Sequence, residues 1–258
     1  MEGLGTLASA LLALGLVAVA VALSLYERLD LERDIGVAVV RSFVQLAAIG
    51  YVINFVFGLE SLGYVLLLLV VMVGFAGWTS ARRARGVPRA LPLATVAVGT
   101  AAACTLGLLL LLGVVPPTGR YLIPLGGMVV GNSMNTTSLT LSRIRDDVRA
   151  RRPEIEASLA LGATSRQAAA PILKSSLRDA MIPLVDSTKT AGIVFLPGAM
   201  AGMIIGGADP LEAVRLQMVV LYMLLGSVSI AAIIAGLLSY RAFFTPRHQL
   251  RMDLPPEK

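Results

Sequence analysis

Seven apolar runs, at residues 4–26, 35–57, 63–81, 91–115, 121–142, 180–206 and 211–240, alternate with polar loops along the whole chain. A run of roughly 20 residues is what a helix needs to cross the hydrocarbon core of a bilayer. A helix can do so because it satisfies its own backbone hydrogen bonds where no water is available. The pattern predicts an all-α polytopic membrane protein with seven transmembrane helices. Composition agrees: hydrophobic residues are 56% of the chain, charged residues 15%, and the mean hydropathy is +0.80, outside the usual range of soluble domains.

Charge in the loops gives an orientation. Arg82, Arg83, Arg85 and Arg89 follow the third run, and Arg241, Arg247 and Arg251 follow the seventh. Cytosolic loops carry the excess of Lys and Arg, so these ends are expected in the cytosol. The turns at 58–62, 116–119 and 207–210 hold little beyond Arg120 and are expected outside. The N-terminus is then outside and the C-terminus cytosolic, in the inner (plasma) membrane. The first run is preceded by Glu2 rather than a basic segment and is long for a cleaved signal peptide, so a retained helix is expected. No internal repeat, low-complexity tract or linker interrupts the chain, which reads as one membrane domain over residues 1–258.

The net charge of +6 lies in loops between apolar runs, where membrane topology accounts for it without nucleic acid. The single cysteine, Cys104, lies within an apolar run and cannot form an intrachain disulfide.

The one long polar interruption is residues 143–178. Pro153 suits a first helical turn, where its missing N–H is no loss, and Glu154 and Glu156 complement the positive end of the helix dipole. Ile155 and Leu159 share a face one turn apart. Gly162 is placed to end this helix in a left-handed cap, and Thr164 with Gln167 forms a capping box that starts the next. The prediction is helix, tight turn, helix. The first helix is too short to be stable alone in water, so its apolar face is expected to dock, a partner protein's groove being one standing use.

Glu156, Ala157, Ser158 and Gly162, in the spacing E-A-S-x-x-x-G, resemble the "EAA" loop of permease subunits of ATP-binding cassette transporters. Ile172 falls where that motif has its isoleucine, but Lys174 and Ser175 replace its Leu and Pro. The flanking stretches YLIPLGGMVVGNSMNTTSLTLSR and MIPLVDSTKTAGIVFLPGAMAGMIIGGADPLEAVRLQ resemble a narrower group, the bacterial iron-export (FetB-like) permease family with plant aluminium-tolerance relatives. The resemblance covers most of residues 1–247 and is strongest over 121–226. It implies that Ile155, Glu156, Ala157, Ser158, Leu159 and Gly162 couple to a separate ATPase subunit in the cytosol. It also implies export of metal ions or a related small solute. No G-x-x-x-x-G-K-S/T occurs in the chain. It is therefore expected to be no enzyme and to bind no cofactor itself, with ATP and Mg held by the partner ATPase. One coupling segment per chain against two clefts in an ATPase dimer implies a homodimer of the permease.

Polar residues within the spans are the other candidates, since each is costly in hydrocarbon. Arg41 and Gln45 lie one turn apart in the second run; Asn132, Asn135 and Thr136 fall near one face of the fifth. Gly126, Gly127 and Gly131 would permit close helix approach there. In the sixth run Asp186 and Lys189 are spaced i, i+3 and can pair, while Pro197 and Gly198 would loosen the helix. These residues either line a translocation path or join helices, with Asp186 and Lys189 then a structural pair near the cytosolic interface. Met128, Met134, Met200 and Met203 could offer thioethers to a soft cation or fill the core. The only histidine, His248, is in the tail.

Two other classes compete. An intramembrane protease needs a base beside Ser133, and no span holds a histidine. A seven-helix receptor or retinal-type protein fits the helix count, with Lys189 as a Schiff-base lysine, but gives no reason for the E-A-S-x-x-x-G loop.

Overall fold

The computed structural model describes residues 6–58 and 61–251. Glu2, the start of the first run, Leu59 and Glu60 of the turn 58–62, and the tail beyond Arg251 lie outside the described residues. Among the described residues regular structure is helical apart from two isolated β-bridges. In chain order the helices are α1 (Thr6–Glu27), α2 (Glu32–Gly58), α3 (Leu62–Arg83), α4 (Ala90–Leu111), α5 (Gly119–Ala150), α6 (Arg152–Ala160), α7 (Ser165–Thr190), α8 (Gly198–Ile205) and α9 (Pro210–Phe243).

Four helical stretches, Glu32–Ile53, Leu62–Arg83, Ala90–Leu111 and Pro210–Phe243, are long and apolar enough to cross a membrane, and Leu14–Glu27 is apolar but shorter. α5 and α7 fall short because both carry Ser, Thr and charged residues along their length, and α5 two asparagines as well. All-helical membrane character is therefore established, whereas a count of seven goes beyond length and hydropathy. The expected sixth run, 180–206, is not one helix. α7 ends at Thr190, Gly192 adopts φ +83°, and α8 restarts after Pro197. Pro has no N–H to give and fixes its own φ, so it sits as the N-cap of α8 instead of inside a continuing helix.

Contacts divide the chain into two compact units, residues 1–59 and 60–258. In the first, α1 packs on α2, and the Ser24 hydroxyl donates to Glu32 at 2.9 Å across their connection. In the second, α5 is central and packs against α3, α4, α7 and α9, while α8 packs on α9. Small residues allow the closest approaches: a Cβ on Gly77 would lie 2.8 Å from the Thr95 backbone, and one on Gly126 would run into the Leu69 side chain. Gly127 meets only the tip of Met72 at 3.4 Å and Gly131 has open space, so Gly126 alone of the expected three sits in a tight contact.

A continuous buried cluster of this second unit lies at the arginine-rich end. Leu141, Ile144 and Val148 of α5 join Ile155 of α6, Ile172 and Leu173 of α7, and Tyr240 and Phe243 of α9 in one buried cluster. Ala84 and Val87, from the loop between α3 and α4, complete it. After α9 the chain turns back: Thr245 N–H donates to Gln249 O at 2.8 Å and Arg251 N–H to Phe243 O at 2.9 Å, which carries Leu250 into the same cluster.

Candidate functional site

The polar interruption builds a rigid corner. α5 runs eight residues beyond the apolar stretch, to Ala150, and Pro153 stands in the first turn of α6. At the far end of α6 the N–H of Ala163 bonds Ser158 O at 3.1 Å and that of Gly162 bonds Leu159 O at 3.0 Å, with Gly162 at φ +92°. This pair of bonds is the Schellman cap, which satisfies carbonyls a helix end would leave orphaned. Thr164 then caps α7 with Gln167: Gln167 N–H donates to the Thr164 hydroxyl at 3.3 Å and Thr164 N–H to Gln167 Oε1 at 2.9 Å. On α6 the Ser158 hydroxyl donates to Glu154 O, and Arg152 pairs with Glu156 at 2.8 Å.

One expectation changes. The apolar face of α6 does not point outward: Ile155 is 2% exposed, buried in the chain's own cluster, and Leu159 packs partly against it. The reason is covalent. α6 is joined to α5 by a single residue, which folds it back onto the α5 extension, so its stripe meets this chain's own apolar side chains first. What remains accessible is the other side: Glu156, Ala157, Gly162 and above all Leu161, 90% exposed.

Further contacts fix the corner. Asp147 of α5 accepts from Ser175 and Ser176 of α7 at 3.3 and 3.1 Å. Arg145 donates to the carbonyl of Arg85 and pairs with Asp146 at 2.8 Å. His248 Nδ1, in the returning tail, lies 2.8 Å from the Ser165 hydroxyl and accepts from Ser165 N–H at 3.2 Å. It thereby satisfies an orphan donor in the first turn of α7. The tail and α6 together border an open groove of about 1010 Å³.

The polar residues of the spans are gathered only in part. Asn132, Asn135 and Thr136 of α5 share a pocket of about 210 Å³ with Pro183 and Ser187 of α7. Asn132 donates to Met128 O at 2.8 Å, and Asn135 accepts from Arg83 at 2.8 Å, a partner the topological reading of that arginine did not suggest. Asp186 and Lys189 do pair, at 3.0 Å, with side chains 58% and 68% exposed. They are not near the arginine-rich end. α7 runs antiparallel to α5 from the Asp147–Ser176 contact to the Asn132–Ser187 pocket, which brings the pair level with the middle of the fifth apolar run. Arg41 and Gln45 belong to the first unit, where both are exposed on α2 beside a shallow pocket of about 470 Å³.

The four methionines do not converge. Met128 and Met134 are six residues apart on α5, about two-thirds of a turn round the helix, and Met200 and Met203 sit on α8, which packs on α9. Among the described residues no group of three or more His, Cys, Asp or Glu could hold a metal.

An all-helical membrane protein with a capped helix–turn–helix set into its core and a polar pocket between two central helices is the class that the fold and site define. The chain belongs to the family described as Uncharacterised protein family (UPF0014), whose model matches residues 7–244. It is 46% identical over 238 residues to the "UPF0014 membrane protein STAR2" of rice, covering 92% of this chain and 84% of that one. The "Protein ALUMINUM SENSITIVE 3" of Arabidopsis thaliana is 44% identical over 239 residues, 93% of this chain and 88% of the other. The "Probable iron export permease protein FetB" of Escherichia coli is 38% identical over 239 residues, 93% and 92% of the two chains. No solved structure matches the chain significantly.

Proposed function

We propose that this chain is the transmembrane permease subunit of an ATP-binding cassette exporter, driven by a separate ATPase subunit. It crosses the inner membrane seven times as one domain, with its N-terminus outside and its C-terminus and segment 143–178 in the cytosol. The observation that carries this reading is the corner at α6. Ile155 clamps the helix from behind in the core that joins α5, α7 and α9, while Leu161, Ala157 and Glu156 are bare in front. A short helix held in this way transmits a push to two central helices at once. The family's permease-named member favours transport over a receptor or retinal-type protein.

The path would run beside the pocket of Asn132, Asn135 and Thr136, past Asp186 and Lys189. An ion pair this exposed at mid-span is costly against lipid, which supports a second copy of the chain, or a water-filled path between two copies, at that face. The Escherichia coli relative's name supports iron, or a related metal in chelated form, as cargo. ATP and Mg would be bound by the partner and not by this chain.

The test is Leu161→Asp. The residue is 90% exposed, so the chain should still insert and dimerise. Co-purification of the ATPase subunit and ATP hydrolysis by the reconstituted complex should both fall. Wild-type values for both would remove the coupling role.

A further inference from the structure

We propose that the ATPase docking site has two walls, α6 with its turn and the returning C-terminal tail, and that the tail's arginines recognise an acidic, partly apolar segment of the ATPase. This rests on the coupling reading above and adds the tail to it. The groove of about 1010 Å³ is lined on one side by Leu159, Gly162 and Ala163 and on the other by Arg247, Gln249 and Arg251. A second pocket of about 390 Å³ adjoins it and adds Arg166 and Arg241 to the positive rim. Glu156, the carboxylate in the groove, is already paired with Arg152. None of the four arginines forms an ion pair with a described residue. Among the described residues the groove therefore presents positive charge without an ion-pair partner beside the exposed Leu161, which fits an acidic surface carrying an apolar side chain.

The tail is held there by structure. Leu250 is buried, the backbone of residues 243–251 closes on itself, and His248 caps α7 at Ser165, one residue after the N-cap Thr164 that follows α6. His248 is thus a positioning residue: its φ of +58° lies in the left-handed region, and its Nδ1 ties the tail to the helix that α6 leads into. Asparagine tolerates that backbone and offers an acceptor oxygen near the same place.

The experiment uses the full chain in lipid nanodiscs and the purified cassette ATPase subunit that co-purifies with it, with affinity measured against salt concentration. Arg247→Glu with Arg251→Glu should weaken binding at least tenfold at low salt and flatten its salt dependence. The neutral pair Arg247→Gln with Arg251→Gln should lie between that variant and wild type. His248→Ala should weaken binding severalfold, and His248→Asn should restore it. Leu161→Asp separates the two claims. If it abolishes binding while both arginine pairs bind as wild type, the tail is no wall of the site and the inference fails while the coupling reading stands. If Leu161→Asp also binds normally, the coupling reading fails with it. Loss with the arginine variants alone would overturn the two-wall site in favour of the tail by itself.

Discussion

The two ends of the α5–α7 pair are built differently. At the arginine-rich end, α5, α6, α7, α9, the α3–α4 loop and the tail close on one buried cluster, and polar contacts from Asp147, Arg145 and His248 pin its margins. At the other end α7 stops at Thr190, the connection through Ile193 and Val194 is exposed, and α8 buries no residue at all. One end resists deformation because many packed side chains must move together. The α7–α8 side of the other end can rearrange or meet a partner with little to undo, while α5 stays packed there through Leu122, Ile123, Leu125 and Val129. A machine that receives a push at one end and changes access at the other needs this asymmetry.

The largest effect that would break the comparison is at its fixed end. Ile155→Asp puts a charge with no partner into the cluster and should destabilise the second unit by more than about 3 kcal/mol. Thermal unfolding in detergent should show a clear fall in midpoint; an unchanged midpoint would mean that α6 is not clamped. Gly77→Val comes next, since its added atoms must displace the Thr95 backbone, at a cost of about 1–3 kcal/mol. Gly162→Val meets no neighbour and pays only for its left-handed φ, roughly 1 kcal/mol. It should leave the melting midpoint almost unchanged yet lower ATPase-coupled transport, by tilting α6 relative to α7. Smallest in stability is Asp186→Asn with Lys189→Met: the pair is more than half exposed, so unfolding should hardly shift while transport is lost. A large stability loss there would show that the open end is packed after all.

Much of the fixed end was legible locally. Pro153, Gly162, Thr164 and Gln167 act through backbone geometry within a few residues, and each occupies the position its chemistry predicts. The direction of Ile155 was not legible, because a stripe on a short helix states that something must cover it and not what does. Nor was the tail: Phe243, Phe244 and Leu250 form no periodic pattern, and His248 reaches a residue 83 positions earlier. The depth of Asp186 and Lys189 was misjudged for a related reason. The sequence shows a polar segment followed by an apolar run, whereas α7 is continuous through both and carries the pair well along it before the break. Orientation rests on arginines alone, and cysteine labelling sharpens it. Ser61→Cys should react with an impermeant thiol reagent from outside intact cells and Arg85→Cys should not, each in a Cys104→Ser background. Arg85 suits the test because its side chain is exposed, whereas the neighbouring Ala84 is buried.

The claim that α6 is held from behind and touched from in front is tested most directly by crosslinking. In the Cys104→Ser background, a cysteine is placed at Leu161 or at Ile155 and a short bifunctional thiol reagent is added to the complex with the ATPase subunit. The Leu161→Cys chain should form an adduct with the ATPase, with a yield that changes when ATP is bound, and the Ile155→Cys chain should form none. Adducts from Ile155→Cys but not from Leu161→Cys, or from neither, would contradict the account.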